Sequence, residues 1–242
     1  MNKQKAIFNW SGGKDSSLAL YKAMLSGEYE ISYLLTTVSS EFRRIIQHGV
    51  KEKLLEMQAG SIGIPLYKLL LPENPDMEIY NSLIKQTLIK FKEQNIDTGI
   101  FGDIFLEDLR KYREEKLAEV GVRAVFPIWR YPTIDLIKEF IELGFKAVIV
   151  CVNQNYLDKS FAGREIDADF IKDLPPNVDP CGENGEFHSF VYDGPIFKKP
   201  VEFQRGEIVK KTYIPSNNDQ LKNEGYEQVP ETSFRYCDLI PG

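Results

Sequence analysis

A chain of 242 residues with 43% apolar and 27% charged residues and a net charge of −6 has the make-up of a globular protein with a real core. No apolar run approaches the roughly 18 residues of a membrane span, and Met-Asn-Lys-Gln-Lys passes straight into an apolar strand without a signal-peptide core. Charge is uneven: residues 1–130 carry 18 Lys and Arg against 17 Asp and Glu, and residues 131–242 carry 12 against 19, which disfavours a nucleic-acid partner for the second half. Three widely spaced cysteines, Cys151, Cys181 and Cys237, make neither a zinc pattern nor a disulfide framework, and the expected compartment is cytoplasmic.

Hydrophobic periodicity predicts alternating strands and helices over the first 130 residues. Strands fall at 5–10, 31–38, 65–71, 98–102 and 124–128, with helices at 14–26, 48–60, 77–94 and 108–120 between them. Such alternation predicts an α/β fold, a Rossmann-like doubly wound parallel sheet with helices on both faces. Ligands in these sheets bind beyond the carboxyl ends of the strands. A helix at 133–143 and a strand at 146–152, which could lie beside the first sheet, come next. Then the punctuation changes: Pro175-Pro176, Asp179-Pro180, Asn184-Gly185 and Asp193-Gly194-Pro195 surround short β runs at 187–192, 196–204 and 207–213. The expected division is residues 1–130 and a smaller α+β domain at 131–242, with a polar, partly irregular tail after about residue 215.

Between the first strand and helix lies Ser11-Gly-Gly-Lys-Asp-Ser16. Gly12 and Gly13 let the backbone turn tightly, and the helix start offers free N–H groups and partial positive charge, so the turn is an anion site. Ser11 and Ser16 add hydroxyls, Lys14 a cation, and Asp15 a candidate Mg²⁺ ligand. The order is neither that of the common P-loop nor G-x-G-x-x-G. It resembles the signature of the N-type ATP pyrophosphatases, which split ATP between the α and β phosphates.

Other candidates follow strand ends. Gly102-Asp103 closes the fourth strand, where Asp103 could hold Mg²⁺ or simply cap a turn. Thr36 and Thr37 end the second strand, and His48 sits at the expected start of the second helix, just after Arg43 and Arg44. Arg110 and Arg113 share a helix face and could reach polyphosphate or pair with Glu114, Glu107 or Asp108. The second dense motif is Asp179-Pro-Cys-Gly-Glu-Asn-Gly-Glu-Phe-His-Ser-Phe190. As a strand it would put Glu186, His188 and Phe190 on one face, with Glu183 before an Asn-Gly turn.

Taken together, these stretches resemble the diphthine–ammonia ligase family of adenine nucleotide α-hydrolase-like proteins. The resemblance runs through Ser11–Ser16, His48-Gly-Val50, Gly102-Asp103, Pro127-Ile-Trp129, Phe161-Ala-Gly-Arg164, Gly182-Glu-Asn-Gly-Glu-Phe-His188 and Asp193-Gly-Pro195. Where relatives often carry Thr, this chain has Ser189, which keeps a hydroxyl. The resemblance implies that a substrate carboxylate, diphthine on a translation elongation factor, attacks the α-phosphorus of ATP and releases pyrophosphate. Ammonia then displaces AMP to give an amide.

It further implies an ATP-binding first domain and a substrate-binding second one. Ser11, Gly12, Gly13, Lys14, Asp15, Ser16, Thr36, Thr37, His48 and Gly102 are the expected nucleotide contacts. Lys14, Asp15, Asp103, Glu183, Glu186 and His188 are the expected catalytic set, with Asp15 and Asp103 on Mg²⁺. Both halves being allocated, the expected nitrogen source is free ammonia or ammonia from another protein. Glu183, Glu186, Phe187 and Tyr192 are expected to form a pocket for the quaternary ammonium of diphthine. Expected partners are ATP, ammonia and a protein or small-molecule carboxylate, with no membrane; the chain could also form a homo-oligomer. Two alternatives stay open: another ATP pyrophosphatase acting on tRNA or a small molecule, and a nucleotide-binding regulator without turnover.

Overall fold

The computed structural model describes residues 3–45, 49–72, 75–213 and 232–242. Strands β1 (Gln4–Asn9), β2 (Tyr29–Ser39), β3 (Leu66–Leu71), β4 (Thr98–Ile100) and β5 (Arg123–Val125) form a parallel sheet in the order β3-β2-β1-β4-β5. The crossovers are helices α1 (Lys14–Ser26), α2 (Glu52–Ile62), α3 (Met77–Glu93) and α4 (Glu107–Ala118). The chain steps outward from β1 to β3 and then returns to β4 on the other side. This reversal makes a Rossmann-like doubly wound sheet and opens a crevice between the carboxyl ends of β1 and β4. Ala6, Ile7 and Phe8 are buried without alternation, as a central parallel strand covered on both faces requires.

Helix α1 starts where the sequence places it, with Gly13 extended (φ −91°, ψ 177°) before its first turn, and it ends on Gly27 in the left-handed region (φ 68°). Helix α2 starts later than the expected 48, because Lys51 still pairs in an isolated bridge with Arg44. Residues 46–48, His48 among them, lie outside the described residues.

The second half holds α5 (Thr133–Glu142), β6 (Lys146–Asn153), α6 (Ala168–Asp173), β7 (Phe187–Asp193), β8 (Phe203–Tyr213) and β9 (Thr232–Pro241). Its four strands pair antiparallel in the order β7-β6-β9-β8. One hydrophobic cluster runs from Phe8, Leu20 and Leu54 under the first sheet to Val148, Phe190 and Leu239 of the second. Each such fully buried Leu or Phe is worth about 1.5–3 kcal/mol, so the shared core binds the two halves together. A smaller cluster around Ile7, Leu35, Phe91 and Phe101 fills the other face of the first sheet.

Three expectations are corrected. Strand β6 does not sit beside the first sheet; it is the buried interior strand of the second, between β7 and β9. The expected strands at 196–204 and 207–213 are replaced by one strand, β8, which starts only at Phe203 and has a register shift between Arg205 and Ile208; residues 194–200 instead form turns around prolines that cannot donate to a ladder. Of the tail expected to be partly irregular after about residue 215, residues 214–231 lie outside the described residues, and 232–241 are regular: β9 pairs with β8 from Thr232 to Pro241 and buries Cys237 and Leu239.

Candidate active site

The crevice between β1 and β4 is lined by the glycine loop. Gly12 adopts φ 76°, and a Cβ there would lie 2.6 Å from Gln58 Oε1. Only glycine fits that combination of backbone and space. Gly102, at the end of β4, comes so close that a Cβ would lie 3.0 Å from the backbone nitrogen of Ser16. Thus the β4 end and the start of α1 meet, which brings Asp103 beside Asp15. Ser11 Oγ accepts from the Gly13 N–H at 3.3 Å and donates to Ser16 Oγ at 3.0 Å. Ser16 Oγ donates to the Gly13 carbonyl at 3.0 Å.

Lys14 is buried, and its ammonium is shared between the two halves of the molecule. It donates to Asp15 Oδ2 at 2.7 Å and to the Cys181 carbonyl, and it lies 5.1 Å from the centre of the Phe187 ring. Burial works against its charge, but Asp15 and the neighbouring groups outweigh that and hold its pKa above the usual lysine value. Burial likewise raises the Asp15 carboxyl, against the pull of Lys14. Asp103 is raised by burial and pairs with Arg113, whose Nε is 2.9 Å from Asp103 Oδ2. That Oδ2 is buried and makes no hydrogen bond of good geometry.

The motif at 179–188 is not the hairpin its Asn-Gly pair suggests, since strand begins only at Phe187. Two carboxylates brace the loop from inside. Asp179 Oδ2 accepts from the N–H groups of Cys181 (3.1 Å) and Glu183 (3.0 Å). Glu186, 1% exposed, accepts from the Asp179 N–H (3.0 Å), the Asn184 N–H (2.9 Å) and the Asn184 side-chain amide (3.1 Å). Glu186 therefore faces its own loop, not a substrate. Glu183 points the other way, and its Oε1 accepts from the Ile104 N–H at 3.0 Å, beside Asp103. Burial, reinforced by Asp15, lifts its carboxyl to about 7. His188, on β7, is held neutral: burial, with Lys14 nearby, lowers it to about 4.

The structure thus brings together Ser11 to Ser16, Gly102, Asp103, Glu183 and His188. Thr36 is buried and Thr37 half-buried at the end of β2, next to β1. The expected ammonium pocket does not form. The Phe187 face is taken by Lys14, Glu186 is turned inward, and the Tyr192 hydroxyl bonds Glu165 at 3.0 Å. Arg110 pairs with Glu114 (2.7 Å) and stacks on Phe126 and Trp129, whereas Arg113 is the partner of Asp103 and stacks on Phe101.

Residues that the sequence reading missed connect the glycine loop to β7. The Val191 N–H donates to the Gly12 carbonyl at 2.9 Å, and Ser189 Oγ accepts from the Lys14 N–H at 3.1 Å. Gln58 joins them from α2. A signal for it existed: Gln58 sits among Leu54, Leu55, Ala59 and Ile62 on a buried helix face, where an amide is out of place unless fully bonded.

A doubly wound sheet with a glycine loop at its switch point, ringed by a buried lysine and three carboxylates, defines a nucleotide-binding α/β protein built for phosphate chemistry. Sequence comparison gives the family. The profile of the diphthamide synthase N-terminal domain matches residues 4–124, and that of the diphthamide synthase C-terminal domain matches residues 132–216. The chain belongs to the diphthamide synthase family. Proteins named diphthine–ammonia ligase from Danio rerio and Homo sapiens are each 25% identical to it, over 82% of this chain and 86% and 82% of their own lengths. The Schizosaccharomyces pombe protein of that name is 23% identical over 95% of this chain, which spans 45% of it. Among the described residues no helix is long and apolar enough to cross a membrane.

Proposed function

We propose that this protein is an ATP-dependent, AMP-forming ligase that converts a carboxylate to an amide with ammonia, acting in diphthamide biosynthesis on the diphthine of an elongation factor. The observation that carries the reading is the meeting of the two motifs: the ammonium of Lys14, in the nucleotide loop, bonds the Cys181 carbonyl of the acidic loop. In this reading residues 1–130 bind ATP and residues 131–242 present the acceptor. An acceptor carboxylate oxygen attacks the α-phosphorus, and the bond to the β-phosphate bridging oxygen breaks. Pyrophosphate leaves with its charge stabilised by Lys14 and the N–H groups at the start of α1. Ammonia nitrogen then attacks the acyl carbon, the bond to AMP breaks, and the ammonia proton passes to Glu183. A carboxyl lifted to about 7 suits that task at neutral pH. His188, neutral at working pH, adds no competing positive charge beside Lys14.

Among the described residues no group of three or more His, Cys, Asp or Glu side chains is arranged as a metal site. Hard carboxylate oxygens on Asp15 and Asp103 nevertheless fit Mg²⁺ that takes its other ligands from phosphate and water; the ion would share Asp103 with Arg113, whose Nε lies 2.9 Å from Oδ2. When bound, the ion supplies charge neutralisation on the phosphates. Product analysis tests the reading: labelled ATP with acceptor and ammonium should give AMP and pyrophosphate that depend on the acceptor. ADP with phosphate as the sole products would overturn it, and ATP binding without acceptor-dependent turnover would favour a regulatory protein.

A further inference from the structure

Gln58 is fully buried on α2, yet its amide is engaged by three groups from other elements. Its Oε1 accepts from the Trp10 indole at 3.0 Å, while its Nε2 donates to the carbonyls of Gly12 (3.0 Å) and Val191 (2.6 Å). An indole N–H only donates, so it fixes which way the amide points and leaves both N–H groups for the carbonyls. The same two residues are joined directly by the Val191 N–H to Gly12 carbonyl bond. Two residues away on each side, Ser189 Oγ on β7 holds the Lys14 N–H at the start of α1. An apolar side chain would suit this helix face without any cost of burying an amide. The amide is matched instead to a junction of β1, the nucleotide loop and β7.

We propose that Gln58 is a positioning residue for the ligase reaction. It locks the nucleotide loop in register with β7, the strand that follows the acidic loop and carries His188, so that the α-phosphorus and the acceptor meet in one geometry. The inference rests on the ligase reading above. Losing Gln58 leaves Lys14 and the helix-start N–H groups in place for ATP, but it frees one half of the site to drift against the other. A misplacement of about 1 Å costs on the order of 100-fold in rate. The Gln58 partners, an indole and two carbonyls, do not titrate, so a group introduced at this position reports its own protonation.

Gln58→Met and Gln58→Glu, purified as full chains and shown folded by circular dichroism, test it against the wild type. Gln58→Met should lose about 100-fold in kcat for acceptor-dependent AMP formation, with ATP affinity changed by less than about threefold. In Gln58→Glu the ionised carboxylate has no donor for the two carbonyls, whereas the protonated form has one. Its rate relative to wild type should therefore rise up to about tenfold for each pH unit lowered while the acid is mostly ionised. The Gln58→Met ratio should stay flat. Wild-type kcat in Gln58→Met, or equally flat ratios for both variants, overturns the proposal. Should neither fold, Trp10→Phe, which removes only the indole donor, should show a smaller kcat loss with ATP affinity retained; unchanged kcat overturns it. If the wild type itself forms no AMP, the ligase reading fails. Gln58 is then judged by hydrogen exchange: the Lys14 and Val191 amides should exchange faster together in the variant, and unchanged protection refutes the lock.

Discussion

Two loops meet at the end of the parallel sheet, and they treat their backbone N–H groups in opposite ways. In residues 11–16 the N–H groups of Gly13 and Lys14 rest on hydroxyls, those of Ser11 and Ser189. In residues 179–187 the N–H groups of Asp179, Cys181, Glu183 and Asn184 rest on the carboxylates of Asp179 and Glu186. Hydrogen bonds to an ionised oxygen are roughly twice as strong as those to a neutral one. The first loop is thus held by partners that a phosphate oxygen can replace, and the second by partners that it cannot. A run of acidic residues is therefore no count of reactive groups. Of the three acids in the second loop, two build it and one, Glu183, reaches out of it.

The sharpest way to break this contrast is at Lys14, which belongs to both loops. Lys14→Met should lower the rate of AMP formation about 1000-fold, since it removes the ammonium that joins the two loops and, in the proposed reaction, stabilises the departing pyrophosphate. A rate within tenfold of wild type would show that the two loops do not work as one site. Next comes Glu183→Gln, expected to slow amide formation about 100-fold. Because the carboxyl is lifted to about 7, its base form appears as pH rises. The wild-type rate should climb up to about pH 7 and level off above it, and the variant should lose that limb. The lifted value also means that the folded chain holds a proton the unfolded chain releases. The Glu183 contribution to stability is therefore lost as pH rises from the ordinary carboxylate range to about 7, and the variant should show a flatter melting profile there.

Glu186→Gln should separate the neighbours in the other direction. It turns one acceptor into a donor that faces an N–H group, at a cost of about 2–3 kcal/mol in stability. Melting temperature should fall and rate should suffer less than in Glu183→Gln; the reverse order would exchange their roles. The smallest effect is expected at Ser189. Ser189→Ala should cost about 1 kcal/mol in stability, read by denaturant unfolding, while Ser189→Thr, which keeps the hydroxyl, stays near wild type.

How much of this was legible in the sequence divides along the same line. The parallel sheet declares itself locally: each strand and helix is one continuous stretch, and the loop at 11–16 carries its chemistry within six residues. Partnerships across the chain do not. Strand β9 finds β8 across residues 214–231, and its polar content masks the alternation that buries Cys237 and Leu239. Phe187 is expected to face the ammonium of diphthine, but its ring is covered by Lys14, which the fold brings there from the nucleotide loop. Likewise Glu183 and Glu186 are equivalent as letters; only the loop that forms around Glu186 tells them apart.

One feature of the nucleotide loop bears on how the protein is made. The bond between the Lys14 N–H and Ser189 Oγ spans 175 residues, and the Gly12 carbonyl waits for Val191. During synthesis the signature emerges 175 residues ahead of the serine that completes it. A nascent chain therefore displays the recognisable motif without the finished cradle. The cradle is complete only once β7, with Ser189 and Val191, has been translated and has folded against the loop.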